Sequence, residues 1–450
     1  TTSFFIYDQN ILDKLPKHDS RVEFIYKQLT EINQTLKSHG SQLAVYNGTP
    51  EAVFTKIICE YEVTSVYCNH DYEPYGTKRD ELISKLLNDN SISFNSYKDQ
   101  VIFERNQITK DDGLPYKVYT PYSKKWLAAF DLNHCKSYPS EEKLENCHKT
   151  KIDKWIDLTD MGFEENSVKV APFDIHNNII ENYEATRNFP AVNGTSKLGP
   201  HLRFGSVSIR QIVSKAIQFE NNIFLKELIW REFFMQILWH FPHTITQSFK
   251  PQYDAIKWRN NTLEYQKWCD GNTGYPLVDA GMRELNKTGF MHNRVRMLVG
   301  SFLCKHLLID WRWGEAYFAE KLFDFDLSAN NGNWQWVAGT GCDAAPYFRV
   351  FNPFTQQQKF DPDFKYIKKW NPNFKNIPEL ETKIVRIVVE RMVAELIPKR
   401  PRMSISAHVD PVYPLVQTHA PFLHSPLLMQ LSLQVVEALA DMLDFDGSVG

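Results

Sequence analysis

The 450-residue sequence predicts an α/β domain built on a parallel sheet, followed by an all-helical domain. Three patterns carry this. Residues 1–125 alternate short apolar runs with stretches of helical spacing, the β-α-β rhythm of a parallel sheet flanked by helices. Residues 126–175 lose periodicity and read as an interdomain connector. Residues 176–383 are helical in spacing, broken by irregular loops. A chain this long exceeds one ordinary hydrophobic core, which fits two domains.

The elements follow in order. "SFFIYD" is a short apolar run suited to a buried strand. A helix is expected from Asp19, with Val22, Ile25, Leu29, Ile32 and Leu36 at helical spacing and Gly40 just past its end. "QLAVYNG" reads as strand, "PEAVFTKIICEY" as helix and "VTSVYCN" as strand; "TKRDELISKLLND" is a helix and "SISFNSY" a strand. No G-x-G-x-x-G follows the first strand, so a Rossmann dinucleotide site is not expected. The connector contains the charged run "KSYPSEEKLENCHKTK". From residue 384 the composition breaks: the tail to residue 450 has no Asn and a single Lys, Lys399, after a chain rich in both. That tail is expected to pack poorly, or only through a helix carrying Leu427, Leu431, Val435 and Leu439.

Composition excludes several classes. The net charge of −3 argues against a generally basic nucleic-acid coat but allows a local basic patch. No apolar run spans a bilayer, and the N-terminal segment lacks the pattern of a secretory signal. The seven cysteines form no C-x-x-C pair, which points to a reducing cytosol rather than a disulfide framework or zinc site. Of the eleven Trp, nine lie between Trp230 and Trp370, so whatever uses indoles sits in the second half.

Four stretches carry candidate chemistry. In "KELIWREFFMQILWHF", Glu227, Trp230 and Arg231 share one helix face at i, i+3 and i+4. An indole between two charges suits a pocket that stacks on a flat ligand and hydrogen-bonds its edge. In "MHNRVRMLVG", Asn293, Arg296 and Met297 repeat that spacing, while Arg294 points elsewhere. In "FDFDLSANNGNWQW", Asp324 and Asp326 precede an Asn-rich turn; with no further carboxylate nearby they suit hydrogen-bond acceptance better than a metal, and none is expected. In "NGTSKLGPHLRFG", hydroxyls and backbone N–H groups could hold a phosphate, although an ordinary capped turn fits equally well.

Together these stretches resemble the DNA photolyase/cryptochrome family over residues 1–380, with "TGYPLVDAGMREL" and "NRVRMLVGSFLCKHLLIDWR" as its signature segments. The resemblance implies that the helical domain holds a U-shaped FAD. It assigns the cofactor to Tyr183, the loop Thr195, Ser196, Lys197, Leu198 and Gly199, then Arg296 paired with Asp324, Asp326, and Asn330 facing the flavin's redox-active nitrogen. Gly199 stands where the family commonly has Ser. On the substrate side it assigns Glu227 to a thymine edge, Trp230 and Trp336 to a stacking wedge, and Asn293 and Met297 to the rest of the catalytic pocket. Glu227, Trp230, Arg231, Asn293, Arg294 and Gln356 form the implied DNA-contacting set. Trp258, Trp311 and Trp334 match an electron-transfer triad, on the resemblance alone.

Within that family, a single His292 followed by Asn293, together with Asn330, favours class I cyclobutane pyrimidine dimer photolyase. The expected activity is light-dependent dimer repair by electron transfer from photoexcited reduced FAD. The alternative is an FAD-binding blue-light receptor. A second antenna chromophore stays open, since Tyr75 and Gly76 stand where relatives hold folate. The family's opening "WFRRDLR"-like segment is missing ahead of residue 3, so the sheet is expected to lack its first strand. The expected partner is damaged DNA with the dimer flipped into the pocket, and the expected form is a monomer.

Overall fold

The computed structural model describes residues 1–149, 155–346 and 349–374. The atypical tail and its expected helix lie outside the described residues.

The strands and helices read from the first 97 residues all form. β1 (Phe4–Asp8) leads into a short α1 (Gln9–Leu12), then α2 (Ser20–Ser38), β2 (Ala44–Gly48), α3 (Pro50–Glu60), β3 (Ser65–Asn69), α4 (Pro74–Asp89) and β4 (Ser93–Tyr97). Caps set the boundaries. The Asp19 side chain accepts from the Arg21 N–H at the start of α2, and Thr49 accepts from Ala52 ahead of Pro50. Gly40, at φ +78°, takes the left-handed position beyond α2. Val22, Leu29 and Leu36 are buried along α2, but Ile32 is 48% exposed. The helix buries a narrower face than its apolar spacing suggested.

The sheet differs from expectation. β1 pairs with β2 and β3 with β4, each in parallel, but the two ribbons share no ladder. The pairing is parallel as expected, and among the described residues it falls into two two-stranded ribbons. Phe4 and Ile6 of β1 pack with Val66 of β3, Phe54 and Leu87 in one apolar cluster, so side chains span the break where backbone pairing does not.

The boundary at residue 125 also moves, because α5 (Tyr119–Ala129) runs through it. The connector is strapped down: Leu158 and Phe163 pack on Val22, and Lys169 pairs with the buried Glu23.

The helical part comprises α6 (Asn177–Glu181), α7 (Tyr183–Thr186), α8 (Gly199–Phe204), α9 (Ile209–Ala216), α10 (Ile223–His240), α11 (Thr262–Cys269), α12 (Pro276–Thr288), α13 (Asn293–Lys305), α14 (Trp311–Lys321), α15 (Leu327–Ala338), α16 (Pro353–Phe360) and α17 (Lys365–Trp370). α10 lies at its centre against α5 and α15. Phe224, Leu228, Phe233, Phe234 and Ile237 bury it nearly all round, as an apolar helix without a polar face requires. Residues Thr1–Trp370 form one compact unit. No helix among the described residues is long and apolar enough to cross a membrane.

A buried acid joins the first part of this unit to α10. Glu232 accepts from the backbone N–H groups of Ile102 (2.6 Å) and Phe103 (3.1 Å), the Trp126 indole (2.6 Å) and the Tyr122 hydroxyl (3.4 Å). Burial still raises its carboxyl from 4.5 to about 7. The folded state therefore keeps a proton that the unfolded chain releases. This contribution to stability is complete below 4.5 and lost as pH rises through about 7. His292 acts the other way: burial, then Arg296 and Arg294, lowers it to about 4, so its contribution is complete above 6.5 and lost as pH falls through about 4. The two oppose each other across one window, so the informative quantity is a difference. Relative to Glu232→Gln, the wild type should lose on the order of 2–4 kcal/mol of unfolding free energy between pH 5 and pH 8. Parallel urea-unfolding curves across that range would remove Glu232 as the titrating group.

Candidate active site

The expected Arg296–Asp324 pair is present. Arg296 on α13 donates through both terminal nitrogens to Asp324, at 3.1 and 2.8 Å, and its Nε–H donates to the Met291 carbonyl at 2.7 Å. Such a two-pronged pair fixes both partners in direction as well as distance. Gly199 opens α8 directly against it: a Cβ there would lie 2.6 Å from Asp324 Cβ. Just before it, Lys197 takes φ +54°, and among the described residues no backbone N–H of residues 195–198 donates to a protein acceptor. A run of free, curved N–H groups beside a fixed Arg–Asp pair suits an anionic ligand with a polar ring edge.

The two acids divide. Asp326 caps α15, accepting from the Ala329 N–H and the Ser328 hydroxyl, and lies 3.5 Å from Arg203, which also pairs with Glu73 at 2.8 Å. Burial alone would raise its carboxyl, but Arg203 and Arg231 hold it below its ordinary value. Asp326 thus ties α15 to α8 and to the start of α4. Asn330 is buried, and its amide N–H₂ donates to the Glu315 carboxylate at 2.8 Å and to the Glu315 carbonyl at 3.1 Å. The opposite prong of the amide, its oxygen, is left for a ligand. Burial raises the Glu315 carboxyl.

On the other side, Glu227 and Trp230 are half-buried on α10, and Trp336 is half-buried on α15. Glu227 pairs with Arg187, whose guanidinium also lies over the Tyr183 ring. Trp230 stacks on Tyr119. Asn293 is exposed at the first turn of α13, with Met297 one turn on and half-buried. Arg294 donates to Asn188, reaches Met297 Sδ at 3.6 Å and covers Phe360. Gln356 lies on α16, half-buried. The Arg231 guanidinium donates to the Gln100 carbonyl at 2.7 Å. A helical wheel places Arg231 beside Glu227 but cannot show that residue 100 claims it.

Of the three matched indoles, two are buried and one is partly exposed. Trp334 is 3% exposed and Trp311 1%, whereas Trp258 is half-buried. Trp334 packs against α14 itself, where a Cβ at Gly314 would lie 2.1 Å from its ring. Trp311 opens that helix. The Trp258 segment is tied to the turn before it through Asn260, which accepts from the Asp310 N–H at 2.8 Å, and through the Arg259 N–H, which donates to the Leu308 carbonyl.

Comparison with known proteins bears on these contacts. A family model described as DNA photolyase matches residues 2–143, and one described as the FAD binding domain of DNA photolyase matches residues 224–409. A deoxyribodipyrimidine photo-lyase of Alkalihalophilus pseudofirmus is 36% identical, over 84% of this chain and 82% of the relative. The chain belongs to the DNA photolyase family. A deoxyribodipyrimidine photo-lyase of Escherichia coli is 36% identical over 80% of each chain. Among solved structures, a class III photolyase of Agrobacterium tumefaciens superposes with a TM-score of 0.75 at 32% identity, over 84% of this chain and 82% of the other. An archaeal photolyase of Sulfolobus tokodaii, described with two FAD molecules, gives 0.70 at 33%, over 86% and 87%. The match to the photolyase FAD-binding domain extends to residue 409, past the break in composition at 384.

Sequence reading missed two residues that hold expected site residues, Arg187 against Glu227 and Glu315 against Asn330. Arg187 stands four residues after Tyr183, a spacing that could have exposed it. Glu315 carries no sequence signal, since its role depends on α14 lying against α15. The Gly199 contact gives a direct test. Gly199→Ala should push Asp324 off Arg296, destabilising the fold by about 1–3 kcal/mol and lowering the retained flavin. Unchanged melting temperature and flavin absorbance would show that Asp324 has room to move.

Proposed function

We propose that this protein is a light-dependent repair enzyme for cyclobutane pyrimidine dimers in DNA, working as a monomer in a reducing cytosol. The observations that support it best fall in two groups: the Arg296–Asp324 pair with Asn330, and the half-buried Glu227, Trp230 and Trp336. FAD fits the first group, and when bound, reduced and photoexcited it supplies one electron to the dimer and recovers it after the ring opens. The chain's part is to bind, orient and exclude water. The Arg296–Asp324 pair and the N–H groups of residues 195–198 would hold the cofactor. Photolyases belong to the enzymes that extrude their target bases from the duplex. Trp230 and Trp336 would stack on the extruded pair, each stack contributing about 1–3 kcal/mol. Glu227, held by Arg187, would accept from a thymine N–H.

Trp334, Trp311 and Trp258 would refill an oxidised cofactor with an electron from the surface. Trp311→Phe should therefore block light-driven reduction of oxidised flavin, while chemically reduced enzyme still repairs. Photoreduction at the wild-type rate would sink that assignment.

Illuminating the purified yellow protein with dimer-containing DNA tests the whole reading, and loss of dimers in light but not in darkness is expected. A flavoprotein that leaves dimers intact would be a blue-light receptor. Glu227→Ala should lower repair yield more than DNA affinity. An equal loss of both would assign Glu227 to binding alone.

A further inference from the structure

The two indoles proposed to grip the dimer sit on different helices, Trp230 on α10 and Trp336 on α15. Their separation must be held to a fraction of an ångström if a base pair is to stack between them. Packing of α10 on α15 sets this only coarsely. One residue outside both helices touches each side of the problem.

Tyr119 is the first residue of α5. Its ring lies 3.6 Å from the Trp230 ring, with the planes 8° apart. Aromatic pairs left to themselves prefer an offset or edge-on arrangement to so direct an overlay. Here the overlay is held from both ends. The Tyr119 hydroxyl donates to the Lys226 carbonyl on α10 at 2.8 Å, one turn before Trp230. The Tyr119 backbone N–H donates to the Asp343 carboxylate at 3.0 Å. α5 has no side-chain cap of its own, so the acid that satisfies its first N–H comes from 224 residues away.

Asp343 belongs to the loop that follows Trp336. That loop folds back on α15: the Gly341 N–H donates to the Gln335 carbonyl at 3.1 Å, and the Ala345 N–H to the Trp336 carbonyl at 3.2 Å. Asp343 itself takes φ +46°, a left-handed conformation that is strained for a residue with a Cβ. The strain aims its carboxylate at α5. A continuous line of contacts thus runs from Trp230 through Tyr119 and Asp343 to the backbone of Trp336.

We propose that Tyr119 and Asp343 form a brace that sets the spacing and tilt of the Trp230–Trp336 wedge, and so its preference for damaged over undamaged DNA. Both are positioning residues. The proposal rests on the wedge reading above, and its test separates the two. Holoenzyme variants are titrated with a duplex carrying one cyclobutane thymine dimer and with the same duplex undamaged. Flavin content and melting temperature are checked for each.

Asp343→Ala should lower the preference about tenfold, the size of one lost stack, with affinity for undamaged DNA unchanged. Asp343→Asn keeps an acceptor and tolerates positive φ, so it should restore the preference. Tyr119→Leu removes the stack and should match Asp343→Ala, giving a second reading if that variant fails to fold. Tyr119→Phe keeps the ring and should lie between. Full preference in folded Asp343→Ala and Tyr119→Leu, or an equal loss of affinity for both duplexes, overturns the brace. If Trp230→Ala also keeps full preference, the wedge reading itself falls.

Discussion

The Glu232 carboxylate accepts hydrogen bonds from two backbone N–H groups, an indole and a phenol, all within residues 102–126, while its own helix presents Glu227, Trp230 and Arg231. α10 is apolar almost throughout and would slide or rotate at little cost among other apolar helices. A buried acid with four directional partners removes that freedom. It fixes α10 against α5, and through α10 it fixes every site residue that the helix carries. A carboxylate in such surroundings is costly to ionise, which is why its proton affinity rises. Removing one of its donors would leave buried polar groups unmatched, at a cost above the value of the bond itself.

Local chemistry was legible in the sequence wherever the deciding partner was close. Thr49 before Pro50, Asp19 before α2 and Gly40 after it mark helix ends through contacts within a few residues. The Arg296–Asp324 pair came from resemblance, and the geometry agrees. What stayed hidden was set by distant partners. Ile32 is exposed because, among the described residues, no element covers that edge of α2. The contacts of Arg231 with the Gln100 carbonyl and of Asp326 with Arg203 span long stretches of chain. The split between the β1–β2 and β3–β4 ribbons could not be read from strand propensity, since each strand is a sound strand whichever neighbour it has.

Buried acids near the site differ in what outweighs what. Asp326, faced by Arg203 and Arg231, is held below its ordinary value despite burial, whereas at Glu73 burial outweighs Arg203 and raises the carboxyl. Acids matched by neutral donors, such as Glu232 and Glu315, are pushed toward protonation. The first kind locks elements together. Of the second kind, Glu315 lies against Asn330. Arg296 with Asp324 presents a fixed dipole and no net charge.

Trp334 is pressed between Gly314 and Gly300, and edge-on against Phe318 at 5.0 Å and Trp268 at 6.2 Å. Its indole has no second rotamer to visit, and its neighbours are mostly apolar with little dipole to swing. When such a ring loses or regains an electron, few atoms move in response. The nuclear rearrangement that ordinarily slows charge transfer in water is therefore small. If Trp334 carries charge as proposed, the two glycines in neighbouring helices, Gly300 and Gly314, would keep its surroundings tight enough that little need rearrange as charge passes.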